Sequence, residues 1–266
     1  MTAALLRDLR LYRRCLGAVI RGIMEYVADF WILIGAGIVT QSLGLVFLGV
    51  VFAKVPTLAG WTFPEMVLIY SLFGIVAGVL PIFADGIWNL GRLIHEGRFD
   101  YLLTRPYSPL LQVLSRSMGF NGVGDTLASL AMFGWAVAHV DVAWTPGTVL
   151  VGLVLLASAI ALRLALLVIG NSAAFWVRSP FVFAITVLRV GELGRYPIGI
   201  YGLGIRLLLT TALPFAFTAF YPAAWLLGRG GQAWLGLGTP LVAALAWLAA
   251  LKIFNLGLRR YESSGH

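Results

Sequence analysis

The chain has 266 residues, 60% hydrophobic and only 11% charged, where an ordinary soluble domain is about 45–50% apolar and about 25% charged; a soluble fold could not hide that much apolar surface. The apolar residues gather into runs of bilayer length, and the arginines behind the net charge of +8 flank those runs instead of forming a solvated stripe, which excludes nucleic-acid binding and points to membrane topology. A single cysteine, Cys15, excludes an internal disulfide and a cysteine-rich metal site.

Residues 3–25 carry Leu5, Leu9, Tyr12, Leu16, Ile20 and Ile23 on one helical face and Arg7, Arg10, Arg14, Arg21 and Glu25 on the other. This pattern predicts an interfacial helix within residues 1–28, on the cytoplasmic side. Arg21 breaks the apolar run Cys15–Ile20 too early for a signal peptide. The uncharged stretch between Asp29 and Lys54 predicts a first span, and Met66–Ala84, between Glu65 and Asp85, a second. Residues 85–116 are the largest polar insertion, with Arg92, Arg98, Arg105, Arg116, Asp85, Glu96 and Asp100, and set a cytoplasmic loop over residues 85–120. A third span covers Asn121–Val140 and a fourth Thr148–Gly170, followed by a short cytoplasmic turn at Arg178 and Pro180.

A fifth apolar helix over residues 181–195 ends in Arg189, Glu192 and Arg195, and a last span runs from Trp234 to Phe254. Between them, residues 207–228 contain Pro214 and Pro222, which break backbone hydrogen bonding and are tolerated only where protein or water satisfies the freed groups. A complete crossing there would put Arg259 and Arg260 outside, against the positive-inside rule. Residues 196–230 are therefore expected to form re-entrant half-helices on the outer face, which leaves six spans and both termini in the cytoplasm. On this arrangement thirteen basic residues lie inside and five, Lys54, Arg189, Arg195, Arg206 and Arg229, outside.

Arg163 falls within the fourth span and Asp125 within the third. A charge at mid-bilayer costs about 2.5–3.5 kcal/mol on insertion scales and favours a buried partner. Counted from Ala138 and Gly147, the two residues lie about 20 and 24 Å below the outer end of their hairpin. They are expected to pair.

Catalytic signatures are missing. The only lysines, Lys54 and Lys252, do not follow the glycines of a phosphate-binding loop, and neither G-x-S-x-G nor H-E-x-x-H occurs. Three histidines, His95, His139 and His266, make a multi-histidine metal centre a poor reading. His95 and Asp100 share the H-x-x-x-x-D spacing of glycerolipid acyltransferases, in which the Asp orients a His general base. A membrane-bound acyltransferase is thus an alternative, although about thirty residues of loop replace the α/β domain such enzymes need.

Three stretches carry a wider resemblance: FDYLLTRPYSPLLQVL (99–114), GRYPIGIYGLGIRLLLTTALPFAFTAFYPA (194–223) and the terminal GLRRYESSGH. In their order and spacing the chain resembles an ABC-2-type permease of the six-span subfamily long carried as a domain of unknown function. It departs from that pattern at YGLG (201–204), where relatives are more polar and aromatic. The resemblance implies one all-α transmembrane domain over residues 1–266, in the inner membrane of a bacterial cell. This domain exports a substrate when paired with a second permease, identical or related, and with two copies of a separate ATP-binding subunit. ATP and Mg belong to those partners; the chain itself needs no cofactor and is no enzyme. The resemblance makes the 85–120 loop the ATPase-docking element, with Arg92, Glu96, Arg98, Asp100 and Arg105 as contacts. Arg195, Tyr196 and Pro197, with Tyr221 and Pro222, are the candidate outer gate. A non-transporting membrane scaffold is the second reading. The 9 Trp, 9 Tyr and 16 Phe suit an amphipathic cargo, and aromatic belts account for them equally.

Overall fold

The computed structural model describes residues 2–23, 25–177, 180–229, 231 and 233–262, which are helical apart from turns. The expected turn at Arg178 and the last four residues of the terminal motif lie outside the described residues. α1 (Thr2–Ile23) precedes α2 (Val27–Phe52) and α3 (Phe63–Ala84), and a 3₁₀ turn, Asp85–Asn89, leads into α4 (Leu90–His95). α5 (Asp100–Leu103) and α6 (Pro109–Leu114) follow, then α7 (Asn121–Val137), α8 (Pro146–Ser172) and α9 (Pro180–Gly191). After the short α10 (Leu203–Leu207) and α11 (Phe220–Leu226), the chain ends in α12 (Thr239–Arg260).

Among the described residues, four helical runs are long and apolar enough to cross a membrane: Val27–Phe52, Phe63–His95, Pro146–Phe175 and Ala233–Arg260. α7 and α9, with 17 and 12 residues, are shorter, about 26 and 18 Å against a hydrocarbon core of about 30 Å. The fifth span expected over residues 181–195 therefore stops partway. At its end the Phe215 ring lies where a side chain on Gly191 would go, and Glu192–Arg195 follow as a 3₁₀ segment.

The centre of the bundle is α3, buried without interruption from Glu65 to Val76. α7 packs closely along it because both helices carry small residues at the contact. A Cβ on Gly122 would lie 2.4 Å from the Gly78 carbonyl oxygen, and one on Gly78 would lie 2.8 Å from the Thr126 nitrogen. Close backbone approach of this kind is how helices associate where lipid removes the hydrophobic drive. α8 packs on α3 and α12, whereas α2 and α12 turn Leu43, Val46, Val50, Leu241, Leu245 and Leu248 outward.

The stretch between α9 and α12 is broken into pieces, as the prolines suggest, although only one of them acts as a break. Pro214 ends the π turn Leu208–Ala212, whereas Pro222 sits in the first turn of α11, where its missing N–H has no helical partner to lose. α1 lies across one end of the bundle, called here the α1 end: the Tyr12 hydroxyl donates to the Phe83 carbonyl, and Cys15 Sγ is 3.6 Å from the Tyr107 hydroxyl.

Candidate coupling surface and buried charge cluster

Residues 85–116 are more than a polar loop. Leu93, Phe99, Leu102, Leu110 and Val113 are buried beneath them, and Phe99 stacks edge-on against both Phe175 and Tyr261, at 5.8 and 5.2 Å between ring centres. The buried Gln112 amide donates to the Leu102 and Tyr107 carbonyls, each at 2.9 Å, which closes the turn between α5 and α6. Over this small core the charged side chains face outward. Arg92 donates to Asn89 at 2.8 Å, Arg98 pairs with Glu96 at 3.2 Å, and Arg105 donates to the Tyr101 hydroxyl at 2.7 Å while lying over its ring. Asp100 sits beside Tyr261, whose phenol is pushed up to about 12 by burial and by that carboxylate. The five expected docking residues thus lie on the 85–116 segment at the α1 end, four of them exposed and Asp100 half-buried beside Tyr261.

The second group of charges is buried. Arg163 on α8 is 3% exposed. Its Nη2 donates to Glu192 Oε1 at 3.3 Å, and its guanidinium lies 4.6 Å from the centre of the Phe73 ring. Arg195 pairs with the other oxygen of Glu192 and lies 5.1 Å from the same ring and 5.5 Å from that of Tyr70. Two cations therefore share one carboxylate, and Arg163 Nη1 and Arg195 Nε are buried with no acceptor among the described residues. Counted from the α1 end, Arg163 is nine residues from Ser172, Phe73 eleven from Ala84 and Glu192 twelve from Pro180. At 1.5 Å per residue the cluster stands about 14–18 Å in, near the middle of a bilayer about 30 Å thick.

This corrects the expected pairing of Asp125 with Arg163. Asp125, four residues into α7, abuts Gly78 and interacts with the Gln41 side chain, and of the two buried-cluster arginines it is Arg195 that lies within its electrostatic reach. The partner that sequence reasoning missed is Glu192. Its signal was the length of α9: a helix of 12 residues starting at Pro180 cannot carry Glu192 to the far face.

Arg195 turns into the buried cluster, and Tyr196 follows it in extended backbone before Pro197. Tyr221 is 1% exposed, lies 3.3 Å from the Thr210 hydroxyl and is followed by the buried Pro222. At the far end Arg229 pairs with Glu65, donates to the Gly60 carbonyl at 3.2 Å and lies over the Trp61 ring. This links the loop before α3 to the end of α11, a contact no local motif announces.

Helices of spanning length around a buried charge cluster, with a folded and charged cap at one end, define a multi-pass membrane domain. A match to the description ABC-2 family transporter protein covers residues 38–265, and the chain belongs to that family. Comparison with curated proteins and with solved structures returns no match. Membership supports a transport-permease role and implies association with ABC ATP-binding subunits, and a permease of this family is not itself catalytic, which leaves the acyltransferase reading of His95 and Asp100 without support.

Proposed function

We propose that the chain is the membrane half of an ATP-driven exporter in a bacterial inner membrane, paired with a second permease and with two ATP-binding subunits that hold ATP and Mg. On this reading the α1 end is cytoplasmic, α7 and α9 join the four long helices as six membrane helices, and the pieces from α10 to α11 are re-entrant on the outer side. The observation that supports it is the cap: Arg92, Glu96, Arg98, Asp100 and Arg105 lie on a segment whose buried core Phe99 ties to the ends of α8 and α12. A push on that segment would pass into two long helices.

The test is co-purification. The chain alone should hydrolyse no ATP, and an ATP-binding subunit expressed with it should co-purify and lose the association on Glu96→Lys, Arg98→Glu and Asp100→Lys together. Retained association and ATP-dependent transport in that variant, with membrane insertion intact, would reject the docking face.

A further inference from the structure

Between α3, α8 and α9 runs a slot of about 120 Å³ walled by Ala77, Leu80, Leu167 and Leu188. Arg163 lines it at mid-depth, and Asp85 and Trp88 line it at the α1 end. From Ala77 to Trp88 the wall covers eleven residues, about 16 Å of helix. The Trp88 ring lies edge-on to that of Phe181, 6.3 Å away, and Phe181 and its neighbour Val182 are exposed apolar side chains just outside.

We propose that this slot binds the head of an anionic, single-charged amphiphile, a carboxylate or phosphate ester, with Arg163 as the binding charge and the apolar face of α9 beside Phe181 as the bed for its tail. Charge favours an anion at Arg163: its carboxylate partner, Glu192, is shared with Arg195, and its Nη1 is buried with no acceptor among the described residues, which is costly to leave unmet. Volume limits the ligand, because the slot holds about four waters: a head group fits and a hydrocarbon chain must lie outside. Asp85 at the mouth, accepting from Ser117 at 3.1 Å, turns away free inorganic anions, which have no tail to offset the repulsion. Glu192 then competes with the ligand for Arg163.

Calling this ligand cargo rests on the export reading; the binding does not, since it is measured on the purified chain with no ATPase present. Dibrominated stearate, titrated into the chain in neutral maltoside micelles, should quench tryptophan fluorescence saturably, and Trp88→Phe should remove that component. The methyl ester of the same acid should quench only weakly. Arg163→Gln should weaken binding about tenfold or more, the loss of one charge-assisted contact. Glu192→Gln should tighten binding, because a competitor is removed, whereas a purely structural Glu192 predicts weaker binding. If Arg163→Gln does not fold, the headgroup comparison and Glu192→Gln still decide. Equal quenching by acid and ester, or unchanged or weaker binding in Glu192→Gln, overturns the proposal. Brominated phosphatidylglycerol separates the sources: displacement of stearate by it identifies a bilayer lipid as the ligand, and no displacement identifies a single-chain molecule.

Discussion

Glu192 accepts from Arg163 across 3.3 Å and so joins α8 to the turn that ends α9, 29 residues further along the chain. The guanidinium is 4% exposed and the carboxylate 30%, so loss of either partner falls unequally. Glu192→Ala leaves the buried Arg163 facing Arg195 with their shared carboxylate gone and should cost about 3–5 kcal/mol, whereas Arg163→Leu with Glu192→Leu, which strands only the partly exposed Arg195, should lie closer to wild type. Arg195→Leu leaves the Arg163 contact in place and should cost less than Glu192→Ala. Thermal unfolding midpoints in micelles give the cycle. Strictly additive losses would show that the two residues do not act as a pair.

The α3–α7 contact makes a sharper steric prediction. Gly122→Val puts a branched side chain into the Gly78 backbone, where even a Cβ has no room, and should force the two helices apart. Gly134, on the same helix, has nothing within 4 Å of the Cβ position. Gly134→Ala should change stability by no more than about 1 kcal/mol, in the favourable direction expected of helix propensity. Folded yield after solubilisation distinguishes the two, and a Gly122→Val protein as abundant as Gly134→Ala would contradict the packing.

Much of this architecture was legible because lipid imposes simple rules. α2, α3, α8 and α12 are apolar runs of spanning length, and α1 follows from its two-sided pattern. What stayed hidden depends on contacts distant in sequence. Phe99, Leu102 and Val113 lie among charged residues, and nothing local tells that they find Phe175 and Tyr261 and form a core. A hairpin of two equal helices brings Arg163 and Asp125 to one level, which favours their pairing when the hairpin is taken alone. The helix expected over residues 181–195 ends instead at Gly191, within reach of α8, and its turn supplies Glu192. The buried core beneath the docking candidates packs α4 and α5 in place, which composition alone does not reveal.

Two tyrosines at the α1 end predict an alkaline weakness. Burial, assisted by the adjacent Asp100, pushes Tyr261 up to about 12, and burial with the neighbouring Cys15 pushes Tyr107 up to about 12. A phenol of pKa about 10 in the unfolded chain binds its proton more tightly when folded, so this contribution is fully present below pH about 10 and is lost as pH rises through about 12. The cap should loosen over that window while the long helices persist. Tyrosinate absorbance should show a late-titrating fraction that shrinks in Tyr261→Phe and again in Tyr107→Phe. If neither replacement changes the alkaline end of the titration, the two phenols are not protected.

The orientation of the chain can be read from three positions, because the structure ties distant segments to common ends. Glu262 follows Tyr261, which packs on Phe99, so the C-terminal end of α12 and the 85–116 cap share a side. Gly231 lines a cavity with Trp61 and Arg229, and Arg229 reaches Gly60, so these lie together at the other end. Gly147, at the start of α8, should lie there too, since α8 runs from it toward Arg163 and the cap. With Cys15→Ser as background, single cysteines at Glu262, Gly231 and Gly147 can be challenged in intact cells with a maleimide that does not cross membranes. Gly231→Cys and Gly147→Cys should react at once and Glu262→Cys only after permeabilisation, as expected if the arginines of α1 and the cap face the cytoplasm. The inverse pattern would reverse the orientation and, with it, the export reading. Reaction of Gly231→Cys and Glu262→Cys from the same side would instead mean that the chain crosses the membrane between them an even number of times or not at all, which α12 as a span does not allow.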